Sequence, residues 1–138
     1  MTDLQRFVDA QAGVHERALA ELTAGDKRSH WMWFVFPQLA GLGRSDMAQR
    51  YALASLDEAR DYLAHPVLGP RLRACTRAVL GVRDRTAADI LGVVDAQKLR
   101  SSMTLFALAA PDETLFGEVL DRYYDGERDP LTEELIAR

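Results

Sequence analysis

The chain has 138 residues, 48% of them hydrophobic, and a formal net charge of −4 at pH 7. The length predicts a single globular domain over residues 1–138, which the patterns below indicate to be helical, and the hydrophobic content excludes a disordered chain. No apolar run approaches the roughly 18 residues of a membrane span, and the negative net charge makes nucleic-acid binding unfavourable. The N-terminus lacks the layout of a secretory signal and Cys75 is the single cysteine, so we predict a cytoplasmic protein.

The first third of the chain predicts two helices followed by an aromatic segment. Apolar residues at helical spacing run over residues 4–11 and 14–22, with a break at Gly13 and an end at Gly25. The apolar run 31–36 is too short for periodicity to distinguish a helix from a strand. We predict a short buried helix there, because no neighbouring segment alternates with a period of two.

Capping residues mark the starts of the remaining predicted helices. Serine and aspartate side chains accept the free amide hydrogens at a helix start, and Thr86 with Asp89 resembles a capping box. The predicted starts lie at Ser45, Ser55, Pro66 or Pro70, Thr86, Asp95, Pro111 or Asp112, and Asp129. We therefore predict an all-α fold, a single compact multihelical domain of seven to nine short helices.

The segment 29–38 is the first candidate site, because it holds both tryptophans and a histidine within ten residues. An aromatic pocket with His30 at its mouth is suited to bind a ring, to hold an anion or to carry out acid–base catalysis. The alternative is that Trp31 and Trp33 fill the core while His30 makes only local hydrogen bonds. The core interpretation is favoured for the tryptophans, and both stay open for His30.

The loop that follows is the second candidate, with glycines at 41 and 43 and then Arg44 and Ser45. Glycines let backbone amides approach a ligand, a helix N-terminus favours anions, and a guanidinium adds hydrogen-bond donors. The spacing is not that of a phosphate-binding loop, which requires Gly-Lys followed by Ser or Thr. A turn with a serine cap explains the same residues and is slightly favoured.

A third candidate lies in the predicted helix from Asp95, where Lys98, Ser101 and Ser102 share a face at spacings of three and four. Such a face is suited to bind an anion or to place a lysine beside a serine nucleophile. The order is the reverse of the Ser-x-x-Lys of penicillin-recognising enzymes, so a hydrolase of that kind has little support. Small hydroxyl side chains also allow close helix packing, and that interpretation has equal weight.

Other ionisable residues favour structural roles. The three histidines are scattered and no zinc-ligand spacing is present, so we predict no metal and no cofactor. Cys75 lies on an apolar helical stripe and is expected in the core. The acidic residues of the first two helices are interpreted as solvated: Asp9, Glu16 and Glu21.

The whole sequence resembles a bacterial and fungal family catalogued as domain of unknown function 1810. The motifs that carry the resemblance are Leu4-Gln5-Arg6-Phe7 with Gln11, the segment 29–38, residues 41–45, Tyr51, His65-Pro66-x-Leu68-Gly69, and residues 95–106 from Asp95 to Phe106. It implies a compact multihelical domain and no established activity. Some members are labelled calpastatin, although calpain inhibitors of that kind are disordered chains. A fainter resemblance, resting on Lys98, Met103 and Phe106, is to helical proteins that cleave N-glycosidic bonds of NAD or ADP-ribose.

These patterns lead to three hypotheses about function. The first is binding of a polar, anionic, nucleotide-like metabolite. Its predicted contacts are His30, Trp31, Trp33, Gln38, Arg44, Ser45, Lys98 and Ser101. The second is a metal-free hydrolase or an enzyme that cleaves N-glycosidic bonds, with His30 as acid or base. The third is a protein–protein interaction module with exposed aromatic residues, which burial of both tryptophans would weaken.

Overall fold

The computed structural model describes residues 3–138, and in that part of the chain the secondary structure consists of ten α-helices and one isolated bridge between Leu39 and Leu53. The helices are α1 (Gln5–Gln11), α2 (His15–Thr23), α3 (Met32–Val35), α4 (Asp46–Arg50), α5 (Leu56–Ala64), α6 (Leu68–Leu80), α7 (Ala87–Leu91), α8 (Val93–Ala109), α9 (Leu115–Tyr124) and α10 (Pro130–Ala137). The all-α prediction is confirmed. The predicted number was slightly too low, because α3, α4 and α7 are helices of only four or five residues.

The N-terminal helices follow the predicted boundaries closely. Gly13 and Gly25 both adopt a positive φ, of 73° and 72°, and they separate and end the first two helices. The aromatic segment forms the short buried helix α3, as predicted. Gln11, which is almost fully buried, holds this segment by donating from Nε2 to the carbonyl oxygen of Phe34 at 2.8 Å and to the hydroxyl of Tyr62 at 3.0 Å.

Helix starts with a side-chain cap were predicted correctly. Ser45 accepts the amide hydrogen of Ala48, Ser55 accepts that of Glu58, and Thr86 forms the predicted capping box. Two predicted starts were wrong. Helix α8 begins at Val93, with Gly92 as its N-cap and Asp95 inside the first turn. Helix α9 begins only at Leu115, after a turn that contains Pro111 and Asp112.

The junction of α5 and α6 explains the His65-Pro66-x-Leu68-Gly69 motif. The Nδ1 atom of His65 accepts the amide hydrogens of Val67 and Leu68, at 3.1 and 3.2 Å, where α6 begins. A methyl group at Gly69 would collide with the carbonyl oxygen of Leu63. Glycine is therefore required for the close approach of the two helices.

The core is centred on α8 and includes a row of aromatic rings. Phe7, Tyr62, Phe106 and Phe116 follow one another with centroid separations of 5.2, 5.6 and 5.6 Å, which connects α1, α5, α8 and α9. Cys75 is fully buried, as predicted, and burial raises the pKa of its thiol to about 12.

No helix of residues 3–138 is long and apolar enough to cross a membrane.

Candidate functional site

Trp31 belongs to the core and is held there by a carboxylate. Its side chain is fully buried, and its Nε1 donates to Oε1 of Glu21 at 3.0 Å. The same carboxylate accepts the amide hydrogens of Arg28 and Ser29 and the hydroxyl of Ser29. Burial alone would raise the pKa of Glu21, but these hydrogen bonds outweigh it and lower the pKa to about 2. The prediction that Glu21 is merely solvated was therefore wrong.

A lysine that the sequence did not indicate covers the Trp31 ring. The Nζ atom of Lys27 lies 5.1 Å from the ring centroid and 3.0 Å from Oδ2 of Asp95. The Lys27 side chain is only 9% exposed. Because its ammonium group is both paired and nearly buried, Lys27 is a structural cation.

Trp33 and Lys98 form a more accessible pair of the same kind. Trp33 is half-buried, and Nζ of Lys98 lies 5.3 Å from its ring centroid. Lys98 lies 3.6 Å from Oδ1 of Asp95, whose other oxygen is taken by Lys27. One carboxylate thus serves two ammonium groups, and the Lys98 ammonium is the more distant and the more exposed of the two.

His30 and Gln38 flank the tryptophans at opposite ends of the segment. His30 is exposed and lies directly before Trp31. Gln38 is half-buried, and its carbonyl oxygen accepts the amide hydrogen of Leu53 at 2.9 Å, beside the isolated bridge. These positions leave the ligand contacts predicted for both residues untested.

The glycines of the loop 39–45 allow its backbone to fit between neighbouring helices. A methyl group at Gly43 would collide with Cβ of Ala48, and a methyl group at Gly41, where φ is 101°, would lie 3.5 Å from Leu135 of α10. Ser45 caps α4, as the simpler interpretation predicted, while the Arg44 side chain is exposed. Anion binding by this loop stays a prediction.

Ser101 lies one turn beyond Lys98 on α8, but its hydroxyl makes a different set of contacts. It is almost fully buried and donates to Oδ2 of Asp129 at 2.9 Å and to the carbonyl oxygen of Gln97. The structure therefore does not place the Ser101 hydroxyl on a binding wall with Lys98. In residues 3–138, the neighbouring Ser102 hydroxyl is buried with no hydrogen-bond partner.

Comparison with known proteins identifies the family. The model of a protein family of unknown function, DUF1810, matches residues 1–136. The chain belongs to the DUF1810 family. The crystal structure of the conserved hypothetical protein Rv1873 from Mycobacterium tuberculosis is similar to it, with 52% identity and a TM-score of 0.97 over 99% of this chain and 97% of that chain. No curated protein matches the chain.

Three cavities of this DUF1810 protein have linings that include neither tryptophan. One groove of about 230 Å³ is lined by Leu39, Ala40, Ala54, Ser55, Leu56, Leu135 and Ile136, and two clefts border α9. Val93 and Val94, at 79% and 70% exposure, lie one turn before Lys98. Among residues 3–138, no group of three or more histidine, cysteine or acidic side chains is arranged to hold a metal ion.

Proposed function

We propose that this DUF1810 protein binds a small ligand that combines a flat ring with a negative charge, as a nucleotide does. The proposed site is the surface formed by Trp33 and Lys98, called here the Trp33–Lys98 surface. The observation that supports it is the position of the Lys98 ammonium group, 5.3 Å from the ring of a half-buried tryptophan. A ring and a cation side by side provide both parts of the recognition.

The charge of Lys98 is incompletely neutralised within the protein. Its distance of 3.6 Å to Asp95 is longer than a hydrogen bond, whereas Lys27 binds the same carboxylate at 3.0 Å. The Lys98 side chain is 23% exposed, so its three N–H donors can reach an incoming anion. Asp95 keeps the lysine beside the ring, which lowers the entropy that binding would otherwise remove.

Trp33 supplies the apolar part of the proposed site. Its exposed portion offers a flat surface on which a base or a similar ring can stack. Trp31 contributes only indirectly, because it is fully buried and is held in place by Glu21. His30 lies three residues before Trp33 and is the next proposed contact. Arg44 is included in the proposed site only because of its position in the sequence.

Ligand titration with matched variants tests the proposal. We expect AMP and ADP-ribose to raise the melting temperature more than ribose 5-phosphate, which has a charge but no base. Lys98→Gln should weaken their binding at least tenfold, about 1.4 kcal/mol, because a charge-assisted contact is lost. Arg17→Gln removes an exposed positive charge from α2 and should leave the affinity unchanged. Isothermal titration calorimetry measures each affinity.

Two results would contradict the proposal. One is equal affinity of the wild type and Lys98→Gln; the other is the absence of any thermal shift across the panel. The second result would favour a protein-interaction module, for which the exposed Val93 and Val94 offer an apolar surface.

The enzymatic alternative is cleavage of an N-glycosidic or other hydrolysable bond, with His30 as acid or base. Formation of a product in the same titrations distinguishes this alternative from binding alone. A cytoplasmic location is part of the proposal, since a free buried thiol fits a reducing compartment.

A further inference from the structure

The C-terminal helix α10 makes little apolar contact with the rest of the fold. Of its eight residues only Thr132 is buried, Leu135 and Ile136 are half-buried, and Leu131 is 59% exposed. Helix α9, in contrast, buries two leucines, a valine and a phenylalanine. A helix of eight residues is also unstable on its own, because helices below about 12 residues are marginal in water. The attachment of α10 therefore depends on contacts at its ends.

A buried carboxylate attaches the beginning of α10 to α8. Asp129 is 3% exposed, and its Oδ2 accepts the hydroxyls of Ser101 at 2.9 Å and Thr132 at 2.6 Å. Its amide donates to the hydroxyl of Thr104 at 2.9 Å. These four residues, Ser101, Thr104, Asp129 and Thr132, are called here the Asp129 cluster. The contact is geometrically specific, so it is either formed or lost.

The far end of α10 borders the groove beside the glycine loop. Leu135 and Ile136 form one wall of this 230 Å³ groove, whose other walls are Leu39, Ala40 and residues 54–56. The amide of Ala40 donates to the carbonyl oxygen of Leu53 at 2.8 Å directly beside the groove. Loss of α10 would open this wall and bring that hydrogen bond into contact with water.

We infer that α10 is a strap that opens as a unit around the Asp129 cluster and thereby uncovers the groove and the buried side chain of Leu39. The opening occurs without unfolding of the α8 core, because α10 shares few buried residues with that core. The side chain of Leu39 is therefore covered in one state and accessible in the other, and the half-buried Leu56 becomes more exposed.

Amide hydrogen exchange by NMR on the full-length chain tests this inference. In the wild type, the amides of α10 and of Ala40 should exchange with a common opening constant, at least tenfold larger than that of Phe106 in α8. Asp129→Ala should speed exchange in α10 and at Ala40 by tenfold or more, because hydrogen bonds to a charged group are lost. Val79→Ala is the matched control, since Val79 is buried in α6 and loses its contacts only when the core unfolds. It should speed exchange at Phe106 and leave α10 and Ala40 unchanged.

Three results would overturn the inference. If α10 amides follow Phe106 in both variants, the helix is released only when the whole protein unfolds. If Ala40 follows Phe106 while α10 exchanges faster, the helix opens but does not cover the groove at Ala40. Should Asp129→Ala fail to fold, Leu135→Ala tests the same coupling, because it removes part of one wall of the groove and leaves the Asp129 cluster intact. An unchanged Ala40 rate in Leu135→Ala would then be the contradicting result.

Discussion

At the scale of single residues, Glu21 connects α2 to the chain that leads into the tryptophan segment. Its carboxylate accepts four hydrogen bonds, from the amides of Arg28 and Ser29, the hydroxyl of Ser29 and the indole of Trp31. Hydrogen bonds to a charged acceptor contribute more to stability than neutral ones, and these four order the chain immediately before α3. One side chain on α2 therefore helps to hold the segment that carries His30 and Trp31 in place.

We predict that Glu21→Ala lowers the free energy of unfolding by about 2–3 kcal/mol, because four donors lose their acceptor and one of them is the indole N–H of the buried Trp31. Urea denaturation followed by tryptophan fluorescence measures the loss. Glu16→Ala, on the exposed face of the same helix, is the control and should change stability by less than about 0.5 kcal/mol. Similar losses in the two variants would show that the hydrogen bonds to Glu21 contribute little.

Among single residues, burial was predictable and hydrogen bonding was not. Cys75 and Trp31 lie in the core as their surroundings in the sequence indicated. Glu21 resembles any other acidic residue of an amphipathic helix, and its role depends on how residues 26–30 turn back toward α2. That path is determined by tertiary structure, for example by the amide of Lys27 donating to the carbonyl oxygen of Ile90 at 2.8 Å. No pattern within α2 carries this information.

At the scale of helices, Gln11 is the polar contact between α1, α3 and α5. It satisfies the carbonyl oxygen of Phe34, which lies in a helix too short to satisfy its own backbone groups, and it also donates to Tyr62. The Tyr62 hydroxyl reaches the same carbonyl oxygen only at 3.4 Å. Gln11 is therefore the principal partner and Tyr62 the secondary one.

We predict that Gln11→Leu costs about 2–4 kcal/mol, because a buried carbonyl group loses its principal donor. Tyr62→Phe should cost only about 1 kcal/mol, since Gln11 still donates to Phe34. Chemical denaturation of both variants tests this order. Gln5→Ala, an exposed substitution on α1, serves as the control. The reverse order, with Tyr62→Phe the more damaging, would show that the hydroxyl and not the amide supports α3.

Helix boundaries were predictable where a side chain caps the helix and not where the backbone turns without one. Ser45, Ser55 and Thr86 each accept an amide hydrogen, and each start was correct. Helix α8 starts instead at Val93, after the N-cap Gly92, where φ is 88° and no side chain is available to cap the helix. Asp95 looked like the cap because carboxylates are common there, but it binds Lys27 and Lys98 instead.

At the scale of the whole molecule, the proposed site joins residues that are far apart in sequence. Trp33 and Lys98 come from α3 and α8, and Lys27 joins them through Asp95. The sequence indicated Trp33 and Lys98 by separate local patterns, and the first hypothesis placed both in one pocket together with Ser101. It could not show that the Ser101 hydroxyl turns away toward Asp129. Helix packing decides which side chains of α8 face Trp33 and which face Asp129, because a rotation of α8 by one residue would turn different side chains toward each of them.

The pH dependence of stability is also a property of the whole molecule. The pKa of Glu21 is lowered to about 2 by its hydrogen bonds, and burial together with the nearby charge of Arg71 lowers the pKa of His15 below its ordinary 6.5. Both groups bind protons more readily in the unfolded chain, so stability falls as pH decreases. Burial raises the pKa of the Cys75 thiol from 9.0 to about 12 and raises that of the Tyr62 hydroxyl above its ordinary 10.0. These two groups lose protons more readily in the unfolded chain, so stability also falls at high pH.

We therefore predict maximal stability between about pH 7 and pH 9, with a loss that begins below pH 7 through His15 and grows between about pH 5 and pH 2 through Glu21. The alkaline loss should begin near pH 9, where the unfolded thiol ionises and the buried thiol does not. Urea denaturation at a series of pH values measures the profile. Glu21→Gln should reduce the loss of stability at low pH and leave the loss at high pH unchanged. Cys75→Ala should reduce the loss at high pH and leave the loss at low pH unchanged. The free energy lost on protonation must equal the difference in proton affinity between the folded and unfolded states. If Glu21→Gln left the loss of stability at low pH unchanged, the hydrogen bonds to Glu21 would therefore not favour its charged carboxylate.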